Sequence, residues 1–327
     1  MNSRLTAALL LLSIILLSSC SMLRGRMTVS TYNRVELKTD KIHYSPILWS
    51  LDTSGNGVVK KNGMYLPVTI PGVEQKLKMQ IDLGVSSSMF YLKTINALGV
   101  NNPEILKNLS VSDDRYSYLN PSIEINDGIR LHADRIPVLR SAGHDTLPAA
   151  FPVIGSLGYD IIGDNILIID FPDNRMALIE KLPPIMESRS TFIKKADLKK
   201  FPVILPFRIG EKKIRLFYDT GSSAFRILTG TRRLKKTSKG REIEIADSVN
   251  SWGKTVYLYK SKIPQKSENL FIGPYDLGNV EIIGTDKLNP LSMTGRYLYG
   301  ITGNEVFRDA ILIIDRKNNR FGIIKPF

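Results

Sequence analysis

Lys78-Met79-Gln80-Ile81-Asp82-Leu83-Gly84-Val85-Ser86-Ser87 and, 137 residues further on, Arg215-Leu216-Phe217-Tyr218-Asp219-Thr220-Gly221-Ser222-Ser223-Ala224 repeat one pattern. An apolar run ends in aspartate, and glycine follows two residues later. A strand end holds such a carboxylate rigidly, and the glycine lets the chain turn sharply and lets a partner approach closely. A second match lies downstream of each copy. Gly158-Tyr159-Asp160-Ile161-Ile162-Gly163-Asp164-Asn165-Ile166-Leu167-Ile168-Ile169-Asp170 aligns without a gap on Gly303-Asn304-Glu305-Val306-Phe307-Arg308-Asp309-Ala310-Ile311-Leu312-Ile313-Ile314-Asp315. Asn174-Arg175 and Asn319-Arg320 then occupy matching places. Asp82 to Asp170 is 88 residues and Asp219 to Asp315 is 96, so the two halves share their order and nearly share their length. This is an internal duplication with a period longer than any solenoid unit.

Working outward, most of the chain reads as runs of about five to eight residues rich in Val, Ile, Tyr and Leu, broken by Gly, Pro, Asn and Asp clusters. Amphipathic helical spacing is confined to Tyr91 to Leu98 and to the neighbourhood of Pro103 to Leu109. The expected class is all-β. Prolines and charges from Leu182-Pro183-Pro184 to Lys194-Lys195 interrupt the strand text and mark the join. The expected division is 1–19 signal peptide, 20–60 lipidated segment with leading strands, 61–183 first lobe, 184–195 linker and 196–327 second lobe.

The chain has 327 residues, 43% hydrophobic and 23% charged, which suits two ordinary domains and excludes disordered, collagenous or multispanning chains. Forty-five Lys and Arg against 31 Asp and Glu give +14, which permits attraction to anionic surfaces without identifying one. The single cysteine, Cys20, rules out an intrachain disulfide, a multi-cysteine metal site and a Cys-x-x-Cys redox pair. It ends Leu17-Ser18-Ser19-Cys20, directly after a short apolar run with Arg4 before it. That ending resembles the bacterial lipobox, which implies cleavage before Cys20, lipidation of Cys20 and a membrane-tethered protein in the bacterial cell envelope, outside the cytoplasm. The alternative is an ordinary secretory signal beside an unrelated cysteine. Nucleic acid is not an expected partner.

If the halves pack about a pseudo-two-fold axis, Asp82 and Asp219 meet there. Adjacent carboxylates cannot both ionise cheaply and so share a proton. The ionised one can take a proton from water while the other polarises a carbonyl, which is a way to hydrolyse a peptide bond without cofactor or metal.

Asp219-Thr220-Gly221-Ser222-Ser223 after Leu216-Phe217-Tyr218 resembles the active-site signature of aspartic proteases, and Gly303 with Ile311-Leu312-Ile313-Ile314 resembles the apolar-Gly element that braces it. The nearest likeness is to bacterial retropepsin-like proteins, with both halves in one chain as in pepsin. The resemblance implies two β-barrel-like lobes with a cleft between them, Asp82 and Asp219 as catalytic pair, Gly84, Thr220, Gly221 and Ser222 as supports, and an extended polypeptide as substrate. In the family, threonine hydroxyls cross-brace the two loops. Leu83 and Val85 replace hydroxyl residues in the first copy, so Thr220 alone can make its half of the brace. Hydroxyls at Thr220 and Ser222 favour ionisation of Asp219 and place the shared proton on Asp82. The same replacements carry the alternative function, a non-catalytic peptide- or partner-binding lipoprotein on a degenerate aspartic-protease fold.

The family's flap falls by position on Ser112 to Tyr118 and Ser248 to Lys254; Trp252, Tyr257 and Tyr259 can line it or pack in strands. Asp52-Thr53-Ser54-Gly55 reads as a loop, Asp276-Leu277-Gly278 as a turn, and Asp170 and Asp315 as turn starters. His43, His132 and His144 lack metal-ligand spacing, and no Gly-x-Ser-x-Gly elbow is present. The cluster Arg232, Arg233, Lys235, Lys236, Lys239, Arg241 reads as a solvated loop, with contact to acidic lipid as the alternative.

Overall fold

The structure, a computed structural model, describes residues 33–37, 41–53, 59–107, 109–111, 116–119, 122–125, 129–133, 136–140, 142–147, 151–238, 242–251, 254–262, 268–286 and 298–325. Cys20 and the signal region lie outside them. The fold is all-β. In the first lobe, β3 (Leu48–Thr53), β4 (Val59–Val68), β5 (Leu77–Ile81), β6 (Met89–Tyr91), β7 (Leu109–Val111), β8 (Tyr116–Leu119), β11 (Ile136–Leu139) and β12 (Val153–Leu157) form one sheet. Their spatial order is β3-β4-β5-β12-β6-β11-β8-β7. Beside it, β1 (Asn33–Leu37), β10 (Ile129–Ala133) and β9 (Ser122–Ile125) form a small sheet in that order.

The second lobe contributes β16 (Ile204–Ile209), β17 (Lys212–Tyr218), β18 (Ile227–Gly230), β19 (Ile243–Ser251), β20 (Lys254–Ser261), β21 (Asn269–Ile272), β22 (Tyr275–Asn279), β23 (Ile282–Thr285) and β24 (Gly300–Thr302). Their order is β19-β20-β23-β18-β24-β17-β16-β21-β22. Reversed, its core β16-β17-β24-β18-β23-β20-β19 repeats β4-β5-β12-β6-β11-β8-β7 strand for strand. The parallel pairs match as well, β5 with β12 and β6 with β11 in one lobe, β17 with β24 and β18 with β23 in the other. The lobes depart from the barrel-like form that the resemblance implied. The lobes are not closed barrels, because the end strands β3 and β7, and β19 and β22, are not paired with each other.

The lobes meet in a third sheet, ordered β15-β26-β25-β13-β14-β2, built from β2 (Ser45–Pro46), β13 (Ile166–Asp170), β14 (Arg175–Ile179), β15 (Thr191–Phe192), β25 (Ile311–Asp315) and β26 (Arg320–Ile324). Segment 184–195 is thus more than a connector: it forms a helix, Pro184–Arg189, and then β15. At the centre β13 pairs antiparallel with β25, with Ile166 opposite Asp315, Ile168 opposite Ile313 and Asp170 opposite Ile311. Gly158 aligns on Gly303 with an offset of 145, and Ile168 is paired with the residue 145 positions later. The pseudo-two-fold axis therefore passes through the Ile168–Ile313 pair. Both strands are buried along nearly their whole length, which explains why they read as unbroken Ile-Leu-Ile-Ile instead of alternating.

Asp170 and Asp315 close the following turns, as expected. Asp170 accepts from the Asp173 N–H at 3.2 Å and Arg175 Nε at 2.9 Å; Asp315 accepts from the Asn318 N–H at 3.0 Å and Arg320 Nε at 2.9 Å. Asn174 and Asn319 take the left-handed positions, with φ of 48° and 54°. Asp52 lies in β3 opposite Lys60 and not in a loop, because pairing with β4 extends the strand to Thr53. Asp276 lies in β22 just past the β21–β22 turn, its carboxylate accepting the Gly278 N–H at 2.8 Å.

Candidate active site

Each aspartate stands where its strand ends beside a parallel neighbour. The Asp82 N–H donates to Leu157 C=O and the Asp219 N–H to Thr302 C=O, both at 2.9 Å, so the β5/β12 and β17/β24 pairs fix the two backbones alike. The next glycine then folds back on its own aspartate. The Gly84 N–H donates to Asp82 Oδ1 at 2.9 Å, and the Gly221 N–H to Asp219 Oδ1 at 2.8 Å. Each glycine also faces the opposite carboxylate. A methyl group on Gly84 would sit 2.3 Å from Asp219 Oδ1, and one on Gly221 would sit 2.7 Å from Asp82 Oδ1. Only a bare backbone permits this approach. The same point beside Gly221 lies 3.0 Å from Asp219 Oδ1, so the two carboxyls stand side by side across the glycines.

Thr220 is fully buried and crosses between the loops. Its Oγ1 donates to Ile81 C=O and accepts the Leu83 N–H, each at 2.8 Å. The reciprocal half is absent at Leu83, whose side chain is packed into the core. The brace is one-sided, as the sequence implied. Thr220 does not donate to Asp219, however, because its one proton goes to Ile81 C=O. Ser222 does, from Oγ to Asp219 Oδ2 at 3.0 Å, whereas Val85, its counterpart, is buried and has no hydroxyl to donate.

Asp219 keeps part of its surface exposed, yet the dense protein around it makes burial the dominant influence on its carboxyl. Burial raises its pKa from the usual 3.8, against the lowering pull of Ser222, the Gly221 N–H and Asp82. Desolvation thus opposes the ionisation of Asp219 that its donors favour. The two carboxyls titrate as a pair.

Further residues, not singled out as site residues from sequence, hold the loops from behind. Gly158 and Gly303 follow β12 and β24, and a methyl group on Gly303 would lie 1.7 Å from Ser222 C=O. In the second lobe Asn304, fully buried, accepts from Tyr218 OH at 2.7 Å and donates through Nδ2 to Ser223 Oγ at 2.7 Å and to Thr220 C=O at 3.2 Å. In the first, Asp160 accepts both the N–H and the hydroxyl of Ser88, at 2.8 and 2.7 Å, and Ser88 Oγ accepts the Gly158 N–H at 3.0 Å. The gapless alignment already placed Gly158 on Gly303. Asn304 is one residue past Gly303 and Asp160 two past Gly158, so the alignment does not pair them and no local pattern marks them.

Of the flap segments, 112–115 and 252–253, with Trp252, lie outside the described residues. Ser248 to Ser251 and Lys254 belong to the long β19–β20 hairpin, on which Ile245 and Tyr257 are exposed while Tyr259 packs on the core.

No family model matches this chain, and no curated protein sequence matches it. Among solved structures it is similar to the crystal structure of aspartic proteinase from Irpex lacteus, at 11% identity and a TM-score of 0.47, over 87% of this chain and 97% of that one. That is a likeness of outline, and the reading of the site rests on this chain's own geometry.

Proposed function

We propose that the chain is an aspartic-type endopeptidase that hydrolyses peptide bonds in an extended polypeptide held between its lobes. The observation that carries this reading is the meeting of Asp82 and Asp219, two carboxyls delivered by duplicated loops and brought side by side across Gly84 and Gly221. With one proton shared, the ionised member takes a proton from a water molecule as its oxygen attacks the scissile carbonyl carbon, and the protonated member gives its proton to the carbonyl oxygen. When the tetrahedral diol collapses, the newly protonated carboxyl protonates the leaving nitrogen, the C–N bond breaks, and the other carboxylate recovers a hydroxyl proton. The pair ends as it began, with one proton. Raising of Asp219 by burial supports retention of that proton. The β19–β20 hairpin, with Ile245 and Tyr257 exposed, offers a strand edge and apolar contacts to an extended substrate.

The proposal includes attachment to a membrane of the cell envelope through lipidated Cys20, supported by the lipobox-like sequence. A second reading, a binding protein that holds a peptide without cutting it, is favoured by one observation: buried Leu83 leaves the brace one-sided. Incubation of purified protein with a denatured protein substrate from acidic to neutral pH, with and without pepstatin, separates the two. Pepstatin-sensitive cleavage is expected; substrate binding without cleavage at any pH would establish the second reading.

A further inference from the structure

A cavity of about 1600 Å³ that the paired aspartates do not line opens on the second lobe. Ile193, Phe207, Ile214 and Leu298, all buried, make part of its floor. Its walls are cationic. Arg208, Lys213 and Arg215 come from β16 and β17, and the helix Thr231–Thr237 adds Arg232, Arg233 and Lys236. Lys194, Lys195 and Lys212 bring the basic lining residues to nine, and Asp286 is the one acid among the described residues that line it.

Three features separate this cavity from an ordinary solvated basic face. Arg208 and Lys213 are direct cross-strand partners, an arrangement of like charges that destabilises a sheet. Among the described residues Arg208 pairs with fully exposed Glu211, 3.4 Å away, and its charge also reaches the exposed Asp276 carboxylate. Second, key cations are held in place: Arg208 lies 4.1 Å over the Phe271 ring, while Arg233 and Lys212 each lie 5.0 Å from the Tyr299 ring centre. Arg233 also donates to Leu298 C=O at 2.9 Å. Third, Lys194, Lys195, Lys213, Arg215, Arg232 and Lys236 make no ion pair to a carboxylate among the described residues.

We infer that this cavity binds an anion carrying several phosphate groups, on a lipid headgroup or on a free molecule. A phosphate monoester carries about 1.5 to 2 negative charges near neutral pH, so a few such groups neutralise the cluster, and guanidinium forks match phosphate oxygens. A chain of carboxylates would need one side chain per cation. Concave walls of one sign focus the field on the ligand. The inference is independent of the protease reading.

The test titrates the full chain with inorganic tripolyphosphate by calorimetry. In parallel, it floats the chain with vesicles containing phosphatidylinositol 4,5-bisphosphate, whose headgroup carries two phosphate monoesters beside its diester, subtracting retention on phosphatidylcholine alone. Tripolyphosphate is expected to bind, and Lys213→Gln with Arg215→Gln is expected to weaken binding about tenfold or more. Lys317→Gln, an exposed lysine on the β25–β26 turn, is expected to leave it unchanged. Vesicle binding that tripolyphosphate displaces assigns the site to a headgroup, and tripolyphosphate binding alone assigns it to a free phosphate compound. Absence of both, an equal loss in Lys317→Gln, or displacement by polyglutamate at equal charge would overturn the inference. Thermal melting guards against misfolding. Lys213→Gln removes the like-charge pair and should melt at or above the parent temperature without ligand, and tripolyphosphate should raise the parent's midpoint more than the variant's.

Discussion

Thr220→Val isolates the one-sided brace. Valine keeps the β-branched shape and replaces only the hydroxyl by a methyl group, so packing changes little while the Ile81 C=O and the Leu83 N–H each lose a 2.8 Å partner in a fully buried place. A buried polar group left unsatisfied costs about 1 to 3 kcal/mol, so the two together should cost about 2 to 6 kcal/mol. Thr220→Ser is the control. It keeps the hydroxyl and loses one methyl group, which costs about 1 kcal/mol plus any cavity. Urea unfolding of both variants reads the difference as a shift in midpoint at unchanged slope. Because the bond runs from one lobe's loop to the other's, the valine variant should also lose peptide hydrolysis while the serine variant keeps most of it. If valine and serine variants unfold together, within about 0.5 kcal/mol of the parent, the hydroxyl is not what joins the loops.

Gly84→Ala should drop kcat by about a hundredfold or more, because its methyl group would lie 2.3 Å from Asp219 Oδ1 and the carboxylate must move aside; unchanged kcat would show that the close approach is dispensable. The pH dependence of stability carries a definite sign. Asp219 has a folded pKa raised above its usual 3.8, so its stabilising contribution is full below that value and is lost as pH rises through the folded value. Melting from about pH 3 to about pH 7 should therefore show the parent losing stability relative to Asp219→Asn, and a parallel pair of curves would refute the raised carboxyl. Cys20→Ser should abolish detergent partitioning, and mass spectrometry that finds parental Cys20 unmodified would refute the anchor.

The duplication was the most legible part of the fold. A gapless match from Gly158 to Gly303 fixed an offset, and that offset reappears in space as the register of β13 against β25. The two aspartates and their glycines were legible for the same reason, since a turn that presents a carboxylate at a strand end leaves a local pattern. Openness of the sheets was not legible, because closure depends on whether end strands far apart in sequence pair, and strand text looks the same either way. The target of the Thr220 hydroxyl was misjudged. A single proton must choose between neighbours, and that choice was decided by Ile81 of the other lobe. The sequence marked Arg232, Arg233 and Lys236 as one basic run, but the cavity draws its other cations from 194–195 and 208–215, which only β16, β17 and the returning chain before them bring together. Asn304 escaped notice because its value lies in three partners that no local pattern names.

The central claim is that Asp82 and Asp219 act as one catalytic unit, and the initial rate of peptide-bond hydrolysis by the parent, Asp82→Asn, Asp219→Asn and the double variant tests it most directly. Each single variant should fall to background and the double variant should lose little more, because removing either member leaves the pair without its base or its acid. A fully active Asp82→Asn protein would contradict the account and point to a site that uses Asp219 without its partner.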